Sequence, residues 1–209
     1  SKGIDLLFPG SEVSVLYRRE GLPLMSFDIL CYGWKLDHPD FHALQRRGIE
    51  ADFGHYQRQL DSMLGSGHGI FVEALSIYED RFGIHPKSRA VRDVIVQAVV
   101  DKTGSDKAEV KRTLKRRGHL DLTVNVEEVL GLVRYLGGAS VVAHAALTTK
   151  YHKLTGAQNL EIVRDLQSLG LNGIEVGHPD NPEAYQTLFA KIAIELGLLQ
   201  FGGSDYHKR

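Results

Sequence analysis

Cysteine is nearly absent from this 209-residue chain, Cys31 being the only one. A disulfide framework and a thiolate metal cluster are both excluded, and such usage fits a reducing, cytoplasmic setting. Long hydrophobic runs are lacking as well. None approaches the roughly 18 residues that a membrane span needs, and no signal-peptide pattern opens the chain. Neither sign of charge is in excess: 25 Lys and Arg stand against 26 Asp and Glu, for a formal net charge of -1. This argues against binding nucleic acid by bulk electrostatics alone, while leaving room for a site that handles one phosphate at a time. What is present is ordinary globular material, 43% hydrophobic and 24% charged, in a length that suits one sizeable domain or one domain carrying an insertion. Nothing in it calls for an obligate protein partner.

The chain falls into three stretches. Ile4 to Phe8 reads as a short strand closed by Pro9-Gly10. Glu12 to Tyr17 and Met25 to Trp34 alternate and are β-rich, which predicts an antiparallel hairpin around Glu20-Gly21. That register sets Glu12 opposite Asp28 to Ile29 and makes Glu12 and Asp28 cross-strand neighbours, a repulsive pairing unless a cation or solvent relieves it. From Pro39 to about Gly118 the pattern turns helical, with His42 to Leu64, Phe71 to Asp80, Ser88 to Asp101 (Ser88 as N-cap) and Asp106 to Arg117. We take residues 39–118 as a helical insertion between two parts, 1–38 and 119–209, of one α/β domain. Lys107, Lys111, Arg112, Lys115, Arg116 and Arg117 form a basic cluster there, suited to an anionic substrate or simply to solvent.

After Gly118 helix and strand alternate: helix Asn125 to Leu136, strand Ser140 to His144, helix Gln158 to Leu169, strand Gly173 to Val176, helix Pro182 to Leu196, strand Leu198 to Phe201. Short connections of this kind mark parallel βα units, whose ligands gather at the carboxyl ends of the strands. His144 ends the first of these strands, Glu175 and His178 lie near the end of the second, and Asp205 and His207 follow the third. Asp205 and His207 are two apart, so in an extended segment they leave the same face. Glu12, His144, Asp205 and His207 together make an oxygen and nitrogen donor set without sulfur. Such a set suits zinc, manganese or iron and hydrolytic chemistry, with Glu12 as a natural bridging carboxylate.

These segments resemble the PHP (polymerase and histidinol phosphatase) domain of metal-dependent phosphoesterases. The likeness rests on Gly10-Ser11-Glu12-Val13, Val141-Val142-Ala143-His144, Gly173-Ile174-Glu175-Val176-Gly177-His178-Pro179 and Gly202-Gly203-Ser204-Asp205-Tyr206-His207, in that order. It is nearest to a small bacterial branch that releases nucleoside monophosphates or trims RNA, which also carries a helical insertion. The resemblance implies a distorted (βα)7-type barrel holding two or three divalent ions (Mn, Zn or Fe). Glu12, His144, Asp205 and His207 would be the ligands, and His178 a neighbour of the site. The family's opening His-x-His and Thr-Asp-His motifs do not occur here, so the expected barrel lacks its first strands and the chain reads as a piece of a longer protein. Where the branch has a His four residues before a Tyr, this chain has Asp28 before Tyr32, and aspartate can also hold a divalent ion. Lys150 and Lys153 are the candidates for gripping phosphate.

The expected function is metal-dependent hydrolysis of a phosphate ester on a nucleotide or nucleic-acid end, by activated water and with no catalytic side chain assigned beyond the metal ligands. A non-catalytic PHP-like module and an amidohydrolase-like enzyme acting on a non-phosphate bond are the alternatives.

Overall fold

The computed structural model describes residues 10–33, 38–64, 88–114, 124–178 and 181–203. The chain divides into two compact units, Ser1–Phe41 with Val124–Arg209, and His42–Thr123. The first contains a five-stranded sheet in the order β1-β2-β3-β4-β5. Its strands are β1 (Gly10–Tyr17), β2 (Met25–Tyr32), β3 (Ala139–Val142), β4 (Gly173–Gly177) and β5 (Leu199–Gly202). β2 runs antiparallel to both of its neighbours, β1 and β3, whereas β3, β4 and β5 run parallel. The fold is therefore mixed α/β, as expected; among the described residues the sheet stays open and does not form the (βα)7-type barrel, even one lacking its first strands, that the resemblance implied. The predicted strand over Ile4 to Phe8 and the helix over Phe71 to Asp80 lie outside the described residues.

Seven helices are described: α1 (Pro39–Leu64), α2 (Ser88–Thr103), α3 (Lys107–Thr113), α4 (Val126–Tyr135), α5 (Ala145–His152), α6 (Gly156–Ser168) and α7 (Glu183–Leu196). Of these, α5 has no counterpart in the sequence reading. Ala145, Ala146 and Thr149 are buried along it. Thr149 Oγ1 donates to Asn159 Oδ1 at 2.7 Å and lies 3.0 Å from the Ala145 carbonyl, and Thr148 Oγ1 donates to the Ser26 carbonyl at 3.4 Å. Two adjacent threonines disfavour a helix on propensity, and tertiary hydrogen bonds offset that preference. The other helices keep their expected places with shifted ends. Ser88 is the first helical residue of α2, and the side chain of Asp106 caps α3 by accepting from Glu109 N at 2.9 Å.

Strand periodicity sorts the sheet into two faces. Val15, Tyr17, Met25, Phe27, Ile29, Cys31, Val142 and Ile174 share one face and are all buried. The face carrying Glu12, Ser14, Asp28, Leu30, Tyr32, Val141, Glu175 and Phe201 is the more open one. Phe201 leans over Gly173 to stack on Tyr32, with ring centroids 5.9 Å apart and planes within 6°. A Cβ at Gly173 would lie 2.7 Å from the Phe201 ring, so glycine is what allows this reach.

In the second unit Val94, Ile95, Val96, Ala98, Val99, Val110 and Leu114 are buried. Arg92 Nε donates to the Leu114 carbonyl at 3.0 Å, satisfying the C-terminal end of α3. Two members of the basic cluster are engaged locally: Lys111 pairs with Asp93 at 3.1 Å and Lys107 donates to Gln97 at 2.8 Å, while Arg112 is exposed. Lys115, Arg116 and Arg117 lie outside the described residues.

Candidate metal centre

The hairpin register places Glu12 opposite Leu30, and Ser14 opposite Asp28. This is one diagonal step from the expected pairing, because the turn centres on Gly21, which takes φ +80. Glu12 and Asp28 remain on the same face as diagonal neighbours, within reach of one another. The Ser14 hydroxyl donates a short hydrogen bond to Asp28 Oδ1 and holds that carboxylate from one side.

β3 delivers His144 to the same spot. Ala143 N donates to the Asp28 carbonyl at 2.8 Å, which keeps the chain registered on β2 for one residue past the strand. His144 then takes a left-handed backbone (φ 30, ψ 47) at the N-cap of α5. Such a conformation costs about 1–3 kcal/mol in a non-glycine residue and persists only where its surroundings hold it. Glu175 Oε2 accepts a hydrogen bond from His144 N at 2.8 Å. The turn aims the imidazole back over the hairpin, where His144 Nε2 lies 3.3 Å from Asp28 Oδ2 and 3.4 Å from Glu12 Oε1.

One ligand atom each from Glu12, Asp28 and His144 falls within 4.8 Å of the others. The side chains are 32%, 19% and 19% exposed, so the cluster opens to solvent while two of its members are mostly enclosed. Hydrogen bonding to Asp28, then to Glu12, raises the His144 pKa to about 10 against the opposing effect of burial. The pocket thus favours a positive charge strongly enough to keep an imidazole protonated well above neutrality. A divalent cation fits this donor set on two counts. The donors are carboxylate oxygen and imidazole nitrogen, and ligands about 2.1 Å from a tetrahedral ion are about 3.4 Å apart, close to the His144 separations.

Three of the five candidate ligands are therefore brought together, and Asp28, the residue standing where the related branch has histidine, is among them. Asp205 and His207 lie outside the described residues. His178 is buried and its ring packs edge-on against His144, with centroids 6.1 Å apart. It is not among the residues whose ligand atoms fall within 4.8 Å of one another. Lys150 and Lys153 are exposed, at the far end of α5. At 1.5 Å per residue the helix carries Lys150 about 9 Å along its axis from His144.

Sequence reasoning noted Glu175 near a strand end without a role, and passed over Ser14. A signal for Glu175 was present, a lone carboxylate between Ile174 and Val176 in an apolar strand. Ser14 had none, since its part depends on the hairpin register. On the same face, burial together with the charges of Glu175 and Glu12 raises the Tyr32 phenol pKa.

No protein-family profile matches the chain. Over 96 residues it is 32% identical to the Eggerthella lenta protein named phosphoribosyl 1,2-cyclic phosphate 1,2-diphosphodiesterase. The match takes in 44% of this chain and 33% of that protein, so the chain spans about a third of the length of this relative. Two solved structures share the fold over 96% of the chain. One is a candidate metal-dependent phosphoesterase from Bifidobacterium adolescentis, with a TM-score of 0.65 and 20% identity over 68% of that chain. The other is an amidohydrolase from Chromobacterium violaceum with bound sulfate and no metal, with a TM-score of 0.61 and 22% identity over 67% of that chain.

Proposed function

We propose that this chain is a metal-dependent phosphoesterase of the PHP type and hydrolyses a phosphate ester at the centre built from Glu12, Asp28 and His144. The observation that carries this reading is the convergence of those three side chains, Glu12 from β1, Asp28 from β2 and His144 from just beyond β3, with their ligand atoms within 4.8 Å. Divalent ions held there supply Lewis-acid polarisation of a phosphoryl oxygen and lower the pKa of water toward neutrality. The work of the chain is to present the donors. Glu12 and Asp28 contribute negative charge, and Ser14 fixes the rotation of the Asp28 carboxylate. His144 contributes a neutral nitrogen once its proton is displaced, so metal uptake releases a proton and strengthens as pH rises. Asp205 and His207 would complete the set.

For the substrate we propose a small phosphorylated sugar or nucleotide, or a nucleic-acid end. The partial identity to a protein named for a ribosyl cyclic phosphate supports a ribose-linked ester. The likeness to an amidohydrolase keeps a non-phosphate bond as the second reading. The test is metal content of the purified full chain, followed by hydrolysis of nucleoside phosphates, cyclic phosphates and N-acyl amides with added Mn or Zn. We expect near-stoichiometric metal and turnover of phosphate esters. Glu12→Ala and His144→Ala should each lower both, turnover by at least about 100-fold. Turnover of amides alone would transfer the assignment to the second reading, and metal retained in both variants would remove the proposed centre.

A further inference from the structure

Glu175 is a carboxylate that the proposed chemistry leaves unused, yet it is 5% exposed in the second of the parallel strands. A buried carboxylate is costly unless polar partners compensate it, and an apolar side chain between Ile174 and Val176 would meet the packing need alone. What an apolar side chain cannot do is accept a hydrogen bond. His144 N stands at the N-cap of α5, where an intrahelical partner is lacking, and it donates to Glu175 Oε2 at 2.8 Å. The other carboxylate oxygen is just as constrained. Glu175 Oε1 lies 1.6 Å from where a Cβ on residue 203 would sit, so only glycine fits there. Gly203 N in turn donates to the Gly177 carbonyl at 2.8 Å, which pins that glycine over the end of β4. The carboxylate is wedged between the end of β3 and the exit from β5, one oxygen accepting from His144 N and the other lying close against Gly203.

We propose that Glu175 is a positioning residue for the metal centre: its carboxylate, seated against Gly203, holds the left-handed turn at His144 and so aims the imidazole at Glu12 and Asp28. This rests on the reading of those three residues as metal ligands, and it deepens that reading by naming what orients the histidine from the backbone side. Partners that orient a metal ligand are worth about 10–100-fold in affinity.

The test compares the full chain with Glu175→Gln, Glu175→Ala, Gly203→Ala, His144→Ala and Val163→Ala. Two readouts are taken: zinc affinity by calorimetry, and amide hydrogen exchange at His144 without metal. Glu175→Ala should expose the His144 amide, raising its exchange rate at least tenfold, and should weaken zinc binding by about 10–100-fold. Glu175→Gln keeps an acceptor oxygen and should restore most of both. Gly203→Ala, which displaces the carboxylate without altering it, should behave as Glu175→Ala does. Val163→Ala, a core truncation in α6, should move neither readout. A His144 amide as protected in Glu175→Ala as in the parent chain would overturn the proposal whatever zinc does. Zinc affinity unchanged in His144→Ala would instead sink the metal reading, with the exchange data still deciding the role of Glu175.

Discussion

At the scale of single residues, the groups that matter are those whose protonation the fold has moved. Cys31 and Tyr17 are buried on the helix-covered face, and burial pushes each pKa up to about 12. The Tyr17 shift is increased by its hydrogen bond to Asp165, at 2.7 Å. In the unfolded chain a thiol ionises near about 8.5 and a phenol near about 10. Between those values and 12 the folded state binds more protons than the unfolded one, so stability falls as pH rises. Below about pH 8 the contribution is fully present. Urea midpoints should therefore decline from pH 8 to pH 11, and Cys31→Ala should flatten the first part of the decline. Native Cys31 should also resist alkylation at pH 9 and react at once in urea, because only the exposed thiolate is nucleophilic.

The elements that shape the site answer to local chemistry in different degrees. α6 announces itself, since Thr155 accepts from Gln158 N at 3.2 Å while the Gln158 side chain accepts from Thr155 N at 2.9 Å. Such a reciprocal cap is worth about 1 kcal/mol, and Thr155→Ala should lower the unfolding free energy by that amount in a urea titration. α5 is the opposite case. The buried Thr149 hydroxyl holds Asn159 of α6 at 2.7 Å, and Thr149→Val, which leaves that buried amide oxygen without its donor, should cost about 1–3 kcal/mol. Because α5 starts at His144, the same variant should also weaken metal binding, measured by zinc titration. β4 and β5 meet closely enough at Gly173 that an added methyl would lie 2.8 Å from the Leu199 carbonyl. Gly173→Ala should destabilise by about 1–3 kcal/mol through overpacking, read by thermal unfolding, with loss of the stacked Tyr32–Phe201 pair.

For the molecule as a whole, the proposed centre ties the hairpin to the parallel half of the sheet, since Glu12 and Asp28 come from β1 and β2 and His144 follows β3. A cation bound only by the folded arrangement raises stability by about 2.7 kcal/mol at 100 times its dissociation constant. Zinc should thus raise the melting temperature of the parent chain and leave that of His144→Ala nearly unmoved. Away from the centre, Arg19 pairs with Glu161 at 2.9 Å and anchors the hairpin turn to α6. Among the described residues no helix is long and apolar enough to cross a membrane.

The alternation of β1 and β2 and the βα rhythm after Gly118 were legible in the chain, because each follows from periodicity and turn chemistry within a few residues. So were Glu12, Asp28 and His144 as candidate ligands, the three side chains that the fold brings together. The helix α5, the diagonal register of the hairpin and the clamp from Glu175 to His144 were not. They depend on partners 10 to 31 residues away, such as Asn159 for Thr149 and His144 for Glu175. No local pattern encodes a hydrogen bond across two strands, so those features exist only once the sheet has brought its strand ends together.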